Sequence, residues 1–330
     1  MKRVRMIRLA CLAILTFGLT CGVASPLQGA GPIKVGTLPV ISSAPLFIGQ
    51  ELGLFKEEGL EIELVEFASG AKMMSPLATG ELQVAAGSSS AGLFNAIAGG
   101  MDLKVVADKG QARAGYNYSL IVVRKDLAAS GAIREVKDLR GRKIAVAARG
   151  IFAEYLLEKL LAQAGLLLNA VELVGLSPPN MVKALHSKAI DAAVAVEPWG
   201  TRSEAEGVGV KAFTAELDRL EPHQTGMLMV PGAFLRQRPD DARRFMRAYL
   251  KGVRYFNQRG LKDPGMSRLL TKYTRVPEEI IRASVPFYLA EDGRLLKESL
   301  ADQQEWYARK GLVKERVSIE RMVDESLLRP

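Results

Sequence analysis

The chain has 330 residues, of which 48% are hydrophobic and 25% charged, the statistics of a globular protein with one large or two medium cores, which exclude disordered and collagen-like chains. Its formal charge is +9, but Lys2, Arg3, Arg5 and Arg8 stand in residues 1–30 with no acid, and the rest of the surplus lies in 231–330, in segments of helical pattern. Solvated helix faces account for such a surplus better than a nucleic-acid stripe interleaved with aromatics.

The basic opening is followed by an uncharged stretch from Leu9 to about Cys21, shorter than the roughly 20 apolar residues that span a bilayer. It reads as a secretory signal over residues 1–30, with small residues that suit cleavage after Ala24 or Ala30. Both cysteines of the chain, Cys11 and Cys21, fall inside it. The exported form would hold no thiol, which excludes thiol catalysis, disulfides and cysteine-ligated metal. A lipid anchor at Cys21 is the alternative, although Gly18 and Thr20 stand where a bacterial lipobox has Leu and a Gly or Ala.

Ile33 to Leu38 reads as a strand, Pro45 to Lys56 has helix-spaced apolar residues, and Glu61 to Phe67 alternates as a second strand. A helix over about Ala71 to Thr79 and a short strand Leu82 to Ala86 complete three units. The order then returns: strand Arg142 to Ala147, helix Ala153 to Ala164, strand Val171 to Val174. Met73 to Ala85 aligns without gaps against Met181 to Ala193, with the helix-to-strand transition at one point in both. Strand alternating with helix, twice over, predicts an α/β protein of two lobes with one topology, each a mostly parallel sheet flanked by helices.

Between the repeats lie the β-rich runs Leu103 to Ala107 and Ser119 to Val123, joined by a polar loop with Lys109, Arg113, Tyr116 and Tyr118, where the chain would cross between lobes. A short strand at Gly226 to Val230 marks the return, and the pattern is helical from Pro239. The expected organisation is therefore a first part of lobe 1 over 31–110, lobe 2 over 119–222, and a return to lobe 1 with C-terminal helices over 226–330.

No phosphate-cradling or dinucleotide glycine motif and no zinc-protease motif is present, and His186 and His223 are the chain's histidines. No cofactor, metal site or catalytic residue is expected. Gly87-Ser88-Ser89-Ser90-Ala91 comes nearest to a nucleophile elbow, with Ala in place of the closing Gly. Hydroxyls at the carboxyl end of a parallel strand, opening a helix, suit a ligand or an N-cap better. Comparable loops hold Ser42 and Ser43, Ser69 and Gly70, and Arg149, Gly150 and Phe152, and Glu197 with Trp199 ends a further strand. Two facing lobes would bring these loops to one cleft, with Arg149 as its cation and Phe152, Trp199 and Tyr116 as apolar lining.

Ile33 to Gly36, Ala44 to Gly49, Leu52 to Leu60, Asp138 to Val146, Asp191 to Ala193 leading to Glu197-Pro198, and Val323 to Leu328, in this order behind an export signal, resemble the periplasmic substrate-binding proteins of ABC importers, in the nitrate, taurine and alkanesulfonate family. The resemblance covers nearly the whole exported chain. It implies a two-lobe, type II periplasmic-binding-protein fold with a two-crossing hinge, and a monomer that clamps a small ligand and delivers it to a membrane permease. Two departures bear on the ligand. Arg149-Gly150-Ile151-Phe152 stands where the family often has Gly-Ser or Gly-Thr, and the cysteine-rich motif of the pyrimidine-precursor branch is missing. The combined expectation is a periplasmic binding protein, not an enzyme, for a small organic anion, carboxylate or sulfonate-like. An exported hydrolase or lyase on the same scaffold, and a ligand-sensing domain, are the alternatives.

Overall fold

The computed structural model describes residues 31–220 and 222–329; the expected signal segment and Cys21 lie outside the described residues. The chain from Pro32 onward is one compact unit. Its ten strands are β1 (Ile33–Thr37), β2 (Ile62–Glu66), β3 (Val84–Gly87), β4 (Leu103–Ala112), β5 (Ser119–Arg124), β6 (Lys143–Val146), β7 (Glu172–Gly175), β8 (Ala192–Val196), β9 (Gly209–Ala212) and β10 (His223–Pro231).

They form two five-stranded sheets, β2-β1-β3-β10-β4 and β7-β6-β8-β5-β9. The sheets share one pattern. In each, three strands joined by helices run parallel, and a strand arriving from the other sheet, β10 or β5, pairs antiparallel beside the third. The repeat legible in the sequence is this pattern, with β3 and β8 as its matching third strands. Each sheet is mixed because the connecting strands enter from the opposite lobe. The chain crosses between the sheets twice, over 113–118 after β4 and ahead of β10.

Alternation along the strands sorts their side chains onto two faces. Val84 and Ala86 of β3 join Val35, Val106 and Leu228 in the core that the helices Ala44–Glu51 and Pro239–Arg259 cover. Ala85 packs instead with Met73, Leu77 and Met229, in a cluster that continues without a break into the second sheet through Ile121, Val146 and Leu157. The helix Pro178–His186 covers the remaining face, over Val122, Ala145 and Ala193. The two lobes are thus packed against each other. Among the described residues no helix is long and apolar enough to cross a membrane.

The helix expected over Ala71 to Thr79 is a 3-10 turn, Gly70–Met73, followed by a short α-helix, Met74–Ala78. The expected polar loop is shorter than the sequence suggests. Lys109 belongs to β4, which runs to Ala112.

Candidate functional site

A cavity of about 80 Å³ lies between the two sheets. Its wall is built from the segments that leave the carboxyl ends of the parallel strands, where open α/β sheets take ligands: Leu38, Val40 and Ser42 after β1, Ser69 and Gly70 after β2, Gly87 and Ser88 at β3, Ala147, Ile151 and Phe152 after β6. The connecting strands supply Lys109, Tyr118, Ser119, Thr225 and Gly226. Close approach of backbones forms one side: a Cβ on Gly70 would stand 3.4 Å from the Gly87 Cα.

Lys109 is 2% exposed and is the one charged residue among the described residues on this wall. Its ammonium donates to Ser42 Oγ at 2.9 Å. Burial pulls its pKa down to about 7, against the favourable charge of Asp108. Asp108, one step along β4, sits away from the cavity, where its carboxylate accepts from the Gly110 N–H (2.8 Å), Gln224 Nε2 (2.7 Å) and the Ala290 N–H (2.8 Å). Burial nonetheless raises it to about 6. Tyr118 is raised by burial to about 12, with the Thr225 and Ser42 hydroxyls beside it as a lesser, opposing influence. Ser119 Oγ and Thr225 Oγ1 are buried on the wall without a hydrogen bond of good geometry.

Two sets of hydrogen bonds close the lobes around this space. On one side Ser90 and Ile151 form an antiparallel bridge, with the Ala91 N–H donating to Gly150 O (2.9 Å) and the Phe152 N–H to Ser89 O (3.2 Å). Elsewhere the Ile41 N–H donates to Glu197 O (3.2 Å) and Trp199 Nε1 to Pro39 O (3.0 Å). Glu197 Oε1 accepts from the Val285 N–H (3.0 Å) and Thr201 Oγ1 (2.7 Å), and Oε2 from the Thr201 N–H (2.9 Å). Burial raises the Glu197 pKa.

Of the residues that sequence reasoning placed in the cleft, Ser42, Ser69, Gly70, Ser88 and Phe152 line the cavity. Ser43 donates to Leu38 O at 3.0 Å, Ser89 to Gln303 Oε1, and Ser90 Oγ caps the helix Ala91–Ala98 by accepting from the Leu93 N–H. Gly150, Glu197 and Trp199 join the lobes to each other instead of lining the space. Tyr116 is half-exposed, its ring edge-on to Tyr288.

Arg149 lies outside this cavity. Its guanidinium is 63% exposed and pairs with Glu154, in a separate depression beside Leu167 and Trp306. Gly150 turns the chain with φ +68° immediately after it, and Glu154, in the first turn of the helix Phe152–Ala162, holds the side chain there. The cation on the cavity wall is Lys109, and sequence reasoning placed neither it nor Ser119 and Thr225 in the cleft. Extending the strand Leu103 to Ala107 through Lys109 was the step that could have found it, but β4 is irregular, with register shifts against β10.

The family model of the NMT1-like family matches residues 29–268. The chain belongs to this family. Among curated relatives, it is 29% identical over 230 residues to a nitrate import ATP-binding protein, NrtC, of Synechococcus elongatus, a match covering 66% of this chain and 34% of that protein; the chain thus spans about a third of that relative's length. It is 26% identical over 261 residues to a putative aliphatic sulfonates-binding protein of Bacillus subtilis, covering 77% of this chain and 74% of the relative. The alkanesulfonate-binding protein SsuA of Xanthomonas axonopodis pv. citri, solved with MOPS bound, shares the fold with a TM-score of 0.73 at 21% identity, over 90% of this chain and 99% of that one. So does a desulfurization enzyme, DSZB, with a TM-score of 0.62 at 16% identity, over 91% and 98% of the two chains. The family member described here therefore has the two-lobe binding-protein fold that the sequence predicts, a fold that also serves catalysis.

Proposed function

We propose that the protein is the extracytoplasmic binding component of an ABC importer, a monomer exported behind residues 1–30, which clamps a small organic anion between its lobes and passes it unchanged to a membrane permease. The observation that carries this reading is the cavity at the strands' carboxyl ends, closed by backbone hydrogen bonds from both lobes and holding one ammonium, Lys109, on an otherwise uncharged wall. Small-molecule sites are mostly apolar with a few fixing polar groups, and this wall has that character. The names of the relatives, a nitrate import ATP-binding protein and a putative aliphatic sulfonates-binding protein, favour an anion as well.

The serine loop gives catalysis little support. Ser89 donates to the Gln303 amide oxygen and Ser90 serves as a helix cap, so neither hydroxyl is paired to a base that would activate it. The test is to purify the protein from its own host, release any bound molecule by denaturation, identify it by mass spectrometry, and return it to refolded protein. The proposal predicts a small anion at one per chain, recovered unchanged after incubation. Turnover of that molecule makes the protein an enzyme on this scaffold and overturns the proposal, as does the release of a cation or of no small molecule.

A further inference from the structure

Resting on the binding-protein reading, we infer that Lys109 selects the ligand's charge: the cavity seats the head of a singly charged anion, carboxylate or sulfonate, on Lys109 Nζ among the hydroxyls of Ser42, Ser119 and Thr225, and rejects amines and dianions.

Four observations converge on this. A lysine ammonium has three N–H donors, and Lys109 uses one, toward Ser42. Ser119 and Thr225, 3% and 4% exposed, bring two more hydroxyls to the same wall, that of Ser119 without a partner and that of Thr225 with only the Tyr118 hydroxyl beside it, and buried polar groups left incomplete are costly unless a ligand completes them. The acid closest in sequence, Asp108, is satisfied by three donors on the other side of β4, so the ammonium faces the cavity without a carboxylate on it. The remaining lining is mostly apolar, with Leu38, Val40, Ile151 and Phe152 prominent, and carries the hydroxyls of Ser69 and Ser88 but no second charge among the described residues.

Selectivity follows from what each class of ligand meets there. A single anionic charge is matched by the ammonium and hydrogen-bonded by the hydroxyls. A second charge on the ligand has no second cation on the described wall against it, and an uncompensated buried charge is strongly disfavoured. An amine meets an ammonium and no acid. About 80 Å³ of space admits a compact head with a short apolar body. Because the cation is a lysine, it offers a point charge to the head without the planar fork by which arginine grips a carboxylate, so carboxylate and sulfonate heads are both accommodated.

The test uses ligand-stripped protein and defined probes: sodium propionate and ethanesulfonate as monoanions, malonate and sulfate as dianions, propylammonium as the amine, each measured by calorimetry. Lysine labelled with ¹³C at Cε reports Lys109 directly by NMR. Either monoanion should bind and move the Lys109 signal, and Lys109→Met should weaken that probe tenfold to over a hundredfold, the loss of a charge-assisted bond. Should Lys109→Met fail to fold, Ser119→Ala with Thr225→Val leaves the lysine in place and should weaken the same probe several-fold. Monoanion binding that survives in both variants, or malonate, sulfate or propylammonium binding as tightly as the monoanions, overturns the inference. If one of those other probes closes the lobes independently of Lys109, the charge assignment falls and the importer reading stands; if no probe of any class binds, both fall.

Discussion

Lys109 and Asp108 are adjacent in the chain, yet one step of a strand puts the ammonium on a cavity and the carboxylate among three donors, and burial moves both pKa values in opposite directions. The groups that face them are Ser42 and Tyr118 at the cavity and Tyr249, whose hydroxyl donates to Asp108 O at 2.7 Å. With Lys109 near 7 when folded and its ordinary value of 10.5 when unfolded, the unfolded chain holds the extra proton between those pH values, so stability rises with pH across that window and the gain is lost as pH falls through 7. Asp108, near 6 when folded against 3.8, acts in the other sense: the folded state holds the proton between those values, and its contribution is lost as pH rises through 6. Urea midpoints of the ligand-free protein should therefore climb between pH 7 and 10, and Lys109→Met should flatten that climb; an unchanged slope would count against a buried, depressed lysine. Arg149 belongs to the same scale. Arg149→Leu leaves the carboxylate of Glu154, 1% exposed, without its partner, so it should lower stability by about 1–3 kcal/mol while changing probe affinity less than twofold. A loss of affinity comparable to that of Lys109→Met would return Arg149 to the binding site.

The element that decides the site is β4, and its sequence conceals it. From Val105 to Ala112 every residue is buried, because β10 flanks it on one side and segments near Tyr288 and Val323 bridge to it. A strand buried on both faces loses the alternation by which sequence reveals inside and outside, so Asp108, Lys109 and Gln111 suggest a polar loop. Arg149 misleads for the complementary reason. Its place between strand and helix is legible, but the direction of its side chain is set by Gly150 and Glu154, which no periodicity reports. Gly110 fixes the geometry beside the lysine. Its φ is +149°, and a Cβ there would collide with the Tyr118 hydroxyl. Gly110→Ala should cost at least about 1–3 kcal/mol of stability and weaken probe binding, read by thermal unfolding and calorimetry; a variant of native stability would show that the strand has room the structure denies it. The segment after β8 acts between lobes. Trp199→Phe removes the bond to Pro39 O while keeping an aromatic ring, and should raise the population of open molecules, seen as faster amide exchange at Ile41 with the exchange of core amides in β1 unchanged.

At the scale of the whole molecule, most of the architecture was legible. The gapless match of Met73 to Ala85 with Met181 to Ala193 announced two equivalent units, and β3 and β8 do occupy equivalent places in sheets of one order. The antiparallel pairings of the fourth strand were not readable as such, because they join segments distant in the chain, as where Ala112 of β4 meets His223 of β10. Nor were the hydrogen bonds that join the lobes at the cavity, since all but those from the Trp199 indole to Pro39 O and from the Val285 N–H to Glu197 Oε1 are made by backbone groups that any residue carries. Those bonds tie each lobe to the other around the cavity, and a clamp requires that they form with the ligand and part without it. Small-angle X-ray scattering of stripped protein, alone and saturated with the molecule released from it, measures this directly. The account predicts a smaller radius of gyration in the saturated protein and no such change for Lys109→Met at the same concentration; an identical radius with and without ligand, in protein that binds it, would contradict the clamp.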